Sequence, residues 1–142
     1  MPNGKMYVKI SGFIYNPAQD KFLIVRRNPN LKVAANKWEL PGGKLEAGEN
    51  DLEHRLVEEV LEETNLKIKP CAPYNAYIRY SPDKERKYLV LTYTTKVLDE
   101  SVNVKLSEEH TNYAWADVDV LDDYDIEEEE KKAMLKGYKL MH

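Results

Sequence analysis

The sequence predicts an α+β fold in which a mixed β-sheet is covered by α-helices. Three observations lead there. Six runs rich in β-branched, aromatic and aliphatic residues are bounded by turn-forming residues and read as strands. Two stretches carry helix start and stop signals, one mid-chain and one at the end. The strand runs fall on both sides of the first helix, and no repeat or low-complexity linker divides the chain.

Tyr7 to Tyr15 (YVKISGFIY) and Lys21 to Arg27 (KFLIVRR) are the first two strands, joined by the turn Asn16-Pro17-Ala18-Gln19-Asp20. Asn28 to Asn36 is a polar loop. Lys37 to Leu40 is a short strand running into a glycine turn at Pro41-Gly42-Gly43. Asn50 is the expected N-cap of the first helix, with Glu53 three residues on in a variant of the capping box. That helix should run to about Thr64, where Asn65 suits a left-handed stop. Pro70 to Tyr80, Arg86 to Leu98 and Tyr113 to Asp117 are the remaining strands, with Ser81-Pro82-Asp83 turning between the first two. The second helix, Glu127 to about Met141, opens on four acids and continues with lysines, an order that suits the helix dipole.

With 142 residues, 42% of them hydrophobic and 32% charged, the chain is expected to form one domain over residues 1–142 with a sizeable core. A net charge of -4 argues against nucleic-acid binding through a basic surface. It does not argue against a small phosphorylated ligand, because a bound metal inverts local charge. Cys71 is the single cysteine, so there is neither a disulfide framework nor a zinc spacing. No signal-peptide pattern and no membrane-length apolar run is present, which leaves the cytoplasm as the expected compartment.

The mid-chain helix is the most informative element. At about 100° per residue, with Leu56 at zero, Val60 falls near 40°, Val57 near 100° and Leu61 near 140°. These four make one apolar stripe. Glu58, Glu62, Glu59 and Glu63 fall near roughly 200°, 240°, 300° and 340°, with Arg55 among them near about 260°. A solvated acidic face would give the same wheel. Three features favour a cation instead: the acids are almost unrelieved by lysine, Glu59 and Glu63 stand one turn apart, and a glycine turn precedes them. Hard oxygen donors of this kind suit Mg2+ or Mn2+ holding a phosphate chain.

Gly43, five residues, Glu49, and later Glu59-Val60-Leu61-Glu62-Glu63-Thr64-Asn65-Leu66 resemble the signature of the Nudix hydrolases. That signature is a glycine, five residues, a glutamate, seven residues, then Arg-Glu-apolar-x-Glu-Glu-x-Gly-apolar. Trp38-Glu39-Leu40-Pro41-Gly42-Gly43, Leu23 to Arg27, and Glu108-Glu109-His110 with Tyr113-Ala114-Trp115 resemble flanking parts of the family. The resemblance implies divalent-cation-dependent hydrolysis of a nucleoside diphosphate linked to another moiety. It implies Glu59 and Glu63 as principal metal ligands and Glu62 as a further ligand or charge-balancing group. Glu49 would support them, and the Gly43 carbonyl would contribute. Glu109 falls where some members place another catalytic carboxylate, and it reads equally as an exposed loop acid. Arg26, Arg27 and Arg79, with Gly42 and Gly43, are the candidates for contact with substrate phosphates, although one face of each strand is solvated in any case.

Three positions depart from the signature. Eight residues, not seven, precede the arginine position; Glu58 occupies that position; and Asn65 replaces a glycine. Arg55, four residues before Glu59, has the spacing of a helical ion pair and is the candidate to replace the missing arginine. The short chain resembles the MutT-like members, so the expected reaction is cleavage of a nucleoside triphosphate to monophosphate and pyrophosphate. Pro82, sixteen residues beyond Leu66, resembles a feature of members that cleave ADP-ribose, and it also fits a plain turn. ADP-ribose or another nucleotide sugar is the alternative substrate. A non-catalytic nucleotide-binding module is the third reading, though retention of Glu59, Glu62 and Glu63 together speaks against it. The expected partner is a nucleotide, with no nucleic acid and no membrane; the oligomeric state stays open, a homodimer included.

Overall fold

The computed structural model describes residues 5–31 and 33–142. The extreme N-terminus, read above for a signal peptide, and position 32 of the polar loop lie outside them. In chain order the elements are β1 (Lys5–Phe13), β2 (Tyr15–Asn16), β3 (Lys21–Arg27), β4 (Trp38–Glu39), β5 (Gly42–Lys44), α1 (Leu52–Thr64), β6 (Ile68–Tyr80), β7 (Arg86–Val97) and β8 (His110–Ala116). A short 3-10 helix (Val118–Asp123) and α2 (Glu128–Leu140) complete the chain.

The expected α+β architecture is present, with strands in two sheets rather than one. The first is mixed, in the order β5-β1-β7-β6, with β1 parallel to β7 and the other pairs antiparallel. In the second, β3 pairs antiparallel with β2, β4 and β8. The division follows from β1 stopping at Phe13. The chain then turns through Asn16 to Asp20, whose φ of +56° is left-handed, and pairs β3 elsewhere.

The apolar pattern of the strands covers both sides. Ile10, Ile14 and Leu23 pack with Leu56 and Val60 of α1. Phe13, Phe22, Ile24 and Leu40 pack with Leu121 and with Met134 of α2. The sheets therefore lie between the two helices, and α1 is held against β5, the edge strand of the mixed sheet.

Three local expectations change. Gly42-Gly43 is not a turn but the edge strand β5, pairing Gly42 with Ser11 and Gly43 with Ile10. Gly42 is required there, since a Cβ would stand 2.6 Å from the Ser11 Cα. Asp51, not Asn50, caps α1; its carboxylate accepts from the His54 amide at 3.0 Å. The buried stripe of α1 is Leu56, Glu59, Val60, Glu63 and Thr64, whereas Leu61 is 39% exposed. The helix is thus rotated from the hydrophobic reading, turning two glutamates inward. Its end matches expectation: Asn65 has φ +70°, and its amide donates to the Leu61 carbonyl.

Candidate active site

Glu59 and Glu63, one turn apart on α1, are only 7% and 3% exposed. Each leans on a glycine of β5. The Gly42 amide donates to Glu63 Oε2 at 3.1 Å. Glu59 lies flat against Gly43, where a Cβ would come within 2.7 Å of its Cγ. Burial pushes the Glu59 carboxyl up; Arg55 opposes the rise while Glu62, Glu109 and Glu46 add to it, and the result is about 7. Burial, then the nearby Glu39, holds Glu63 well above the usual carboxylate range, against the opposing pull of Lys9 and the Gly42 amide.

Arg55 forms an i,i+4 ion pair with Glu59 Oε1. Its guanidinium also stands 3.5 Å from Glu46 Oε1 and 3.6 Å from Glu49 Oε1. Glu58 faces the other way, paired with the imidazole of His54 at 2.7 Å on the exposed side of the helix. The charge reversal at this position of the signature therefore falls outside the acidic cluster, and an arginine one turn earlier reaches into it.

An open cleft of about 320 Å3 runs from this acidic wall across the mixed sheet. The strands line the same cleft with cations, Lys9 of β1, Arg27 of β3, Lys44 of β5 and Arg79 of β6. Three of these converge on one buried carboxylate, Glu39 of β4. Lys9 Nζ lies 2.6 Å from Oε1, Arg27 NH1 3.2 Å from Oε2, and Arg79 NH2 3.9 Å from Oε1. His110 Nε2 is 3.4 Å from Oε2. Burial opposes ionisation of Glu39, but Lys9, His110, Arg27 and Arg79 together outweigh it and hold its pKa well below the usual range.

The late loop closes the acidic side. Glu109 borders the cleft, and with Glu59, Glu62, Glu63 and Glu108 it lines an adjoining acidic pocket. Backbone hydrogen bonds from Ser107 to the Glu63 carbonyl (3.2 Å) and from Asn28 to the Glu109 carbonyl (3.0 Å) fix that loop. Three expected site residues are not brought to the cleft, and of these Glu62 is exposed and lines only the adjoining pocket. Arg26 alternates to the outer face of β3, where its Nε donates to the Asn36 carbonyl at 3.4 Å. Glu49 stands behind Arg55 and accepts from the Glu46 amide at 3.0 Å. Lys9, Glu39 and His110 were not foreseen. A lysine inside an otherwise apolar strand (YVKISGF) was the one signal for them.

The donor chemistry suits a hard divalent cation. Two nearly buried carboxylates stand side by side, ionise reluctantly, and gain by meeting positive charge. Gly43 leaves the room in which Glu59 lies. Among the described residues no three His, Cys, Asp or Glu side chains yet converge on one point, so the coordination sphere is not preformed. Gly43→Ala should therefore act on activity more than on stability. The added methyl displaces the Glu59 carboxylate at a cost of about 1–3 kcal/mol. A melting experiment beside a rate assay checks the split, and an alanine variant of full activity would sink the close-packing argument.

The comparisons with known proteins bear on this geometry. A family model described as the NUDIX domain matches residues 7–137. The chain belongs to the Nudix family. An asymmetrical bis(5'-nucleosyl)-tetraphosphatase from Rattus norvegicus is 28% identical over 124 residues, 85% of this chain and 80% of that protein. A MutT protein from Methanosarcina mazei Go1 superposes with a TM-score of 0.84 at 24% identity, over 99% of both chains. An ADP-ribose pyrophosphatase from Streptococcus suis does so at 0.70 and 15% identity, over 96% of this chain and 92% of that one. At these identities the two structures show the fold. Membership makes this Nudix protein an enzyme, a hydrolase of the acid anhydride in nucleotide derivatives, and sets aside the non-catalytic reading. Nudix hydrolases generally use divalent metal ions. No helix among the described residues is long and apolar enough to cross a membrane.

Proposed function

We propose that this Nudix hydrolase cleaves a nucleoside triphosphate to the monophosphate and pyrophosphate, with Mg2+ or Mn2+ as cofactor. The observation that carries the reading is a cleft lined both by carboxylates of α1 and the late loop and by cations of the strands. Lys9, Arg27 and Arg79 meet two carboxylates, Glu39 and Glu127 (2.9 Å from Arg79), a surplus of one positive charge, and Lys44 lies over the Tyr7 ring at 4.8 Å. Strand cations beside carboxylates that would hold a metal ion suit a phosphate chain.

Glu59 and Glu63, with Glu62 and the Gly43 carbonyl, are the groups that would hold the ion. When bound, it neutralises charge at the phosphoryl oxygens and lowers the pKa of water. Arg55 opposes the rise of the Glu59 carboxyl and orients it, with Glu49 and Glu46 steadying the guanidinium from behind. Glu109 faces the same space from the late loop and is placed to take the proton of the attacking water. The new P–O bond forms as the anhydride P–O bond breaks. The lysines and arginines of the cleft take up the charge left on the departing group of the monophosphate–pyrophosphate pair. Lone Cys71, exposed and free, suits a reducing compartment such as the cytoplasm. One catalytic unit over residues 1–142 belongs to the same reading.

A second reading, asymmetric cleavage of a dinucleoside tetraphosphate, is favoured by the curated relative from Rattus norvegicus. Product analysis with magnesium separates the candidates. A nucleoside triphosphate should give monophosphate and pyrophosphate, a dinucleoside tetraphosphate should give triphosphate and monophosphate, and ADP-ribose should give AMP and ribose phosphate. Exclusive turnover of ADP-ribose would defeat the proposal.

A further inference from the structure

Glu39 contributes no atom to the cleft, yet the cations of its floor are arranged around it. Lys9 and Arg79 come from β1 and β6 of the mixed sheet, Arg27 from β3 of the other, and His110 from the start of β8. The carboxylate is 1% exposed and has a near neighbour on each oxygen. Three long cationic side chains gathered without such an anchor would repel one another and sample many rotamers. With it they share one arrangement before any substrate arrives, and the loop carrying Glu109 is tied to the same point through His110.

We propose that Glu39 is a positioning residue for the phosphate chain: from beneath the cleft it holds Lys9, Arg27 and Arg79 in register, so that the floor recognises three or more consecutive phosphates. This rests on the phosphate-binding reading of the strand cations given above. A buried ion cluster with a purely structural role would have the same contacts. The two differ in what the cluster does to chain-length preference.

Glu39→Gln keeps the shape and the hydrogen-bond acceptor while removing the charge; Glu39→Asp keeps the charge and withdraws it by one methylene. Both are compared with wild type in two assays. One is steady-state hydrolysis with magnesium on the nucleotide turned over best. The other is calorimetric binding of inorganic triphosphate and of pyrophosphate in EDTA, which needs no turnover. For Glu39→Gln, KM and the triphosphate dissociation constant should rise about tenfold, with kcat within about threefold. The cations that lose their shared anchor spread over more rotamers, and this outweighs the added net positive charge. Tighter triphosphate binding would overturn the proposal. Pyrophosphate affinity should change less, narrowing the preference for the longer chain, and Glu39→Asp should recover part of the loss.

Unchanged triphosphate affinity in a folded variant overturns the proposal. So does an equal loss for triphosphate and pyrophosphate, the mark of general loosening. If Glu39→Gln does not fold, Glu39→Asp decides: a selective weakening for triphosphate supports positioning, and wild-type affinity overturns it. A wild-type protein that hydrolyses no nucleotide, but binds triphosphate in a Glu39-dependent way, would defeat the hydrolysis reading and leave the role of Glu39 standing.

Discussion

Glu63→Gln is expected to lower activity by at least about 100-fold while making the metal-free protein more stable above neutral pH. The physical basis is the buried position of Glu63 between Gly42 and Glu59, which holds its carboxyl well above the ordinary value of 4.5. A carboxyl whose folded pKa is raised leaves the folded state with more protons than the unfolded state inside that interval. Stability therefore falls as pH climbs through the interval and stays low above it. For Glu59 the interval runs from 4.5 to about 7; for Glu63 it begins at the same point and extends upward. Glutamine has no proton to lose and still accepts the Gly42 amide. The metal-free variant should match wild type near pH 4 and exceed it at pH 8, read as a higher Tm. Saturating magnesium should close the gap by stabilising only the wild type. Melting curves across pH, with EDTA or magnesium, measure all of this. A variant no more stable than wild type at pH 8 would mean that the carboxylate costs nothing where it lies, and the case for a cation there would weaken with it.

Arg55→Ala should reduce kcat by about 10–100-fold, the usual cost of losing a group that orients a metal-binding carboxylate. It should also move the acidic limb of the pH–rate profile upward. Arg55 is the group that holds Glu59 down against burial and the neighbouring acids, so its removal raises that carboxyl further. Arg55→Lys should recover only part, since a single ammonium cannot span Glu59, Glu46 and Glu49 as the guanidinium fork does. The informative control is Glu58→Arg, which restores the arginine of the family signature. Because Glu58 pairs with His54 on the exposed face, this change should have little effect on rate. An Arg55→Ala enzyme with an unmoved pH profile and unchanged metal affinity would show Arg55 to be incidental.

How much of this was visible in the order of residues varies with the range of the interactions involved. β3 was expected over Lys21 to Arg27 and spans those residues, because its apolar run is bounded by a turn and a polar loop. The end of α1 was equally clear, since Asn65 is one of few residues at ease with φ +70°. The start slipped by one residue because Asn50 and Asp51 are both good caps, and the choice turns on which side chain meets an amide. β5 was hidden altogether. Three residues containing two glycines carry no strand signal, and only pairing with β1 makes them a strand.

The site divides along the same line. The spacing of Glu59, Glu62 and Glu63, the i,i+4 relation of Arg55 to Glu59 and the glycines before them are local, so a single stretch of chain specifies them. That Glu59 and Glu63 are buried is not local: the hydrophobic wheel placed them toward water, and packing of α1 against a Cβ-free edge strand turned them in. The cationic floor is less local still, because Lys9, Arg27, Glu39, Arg79 and His110 are drawn from five strands across two sheets. Each alone looks like a charge on a solvated strand face. Burial of one carboxylate made them a cluster, since a charge removed from water must find its partners wherever the fold brings them.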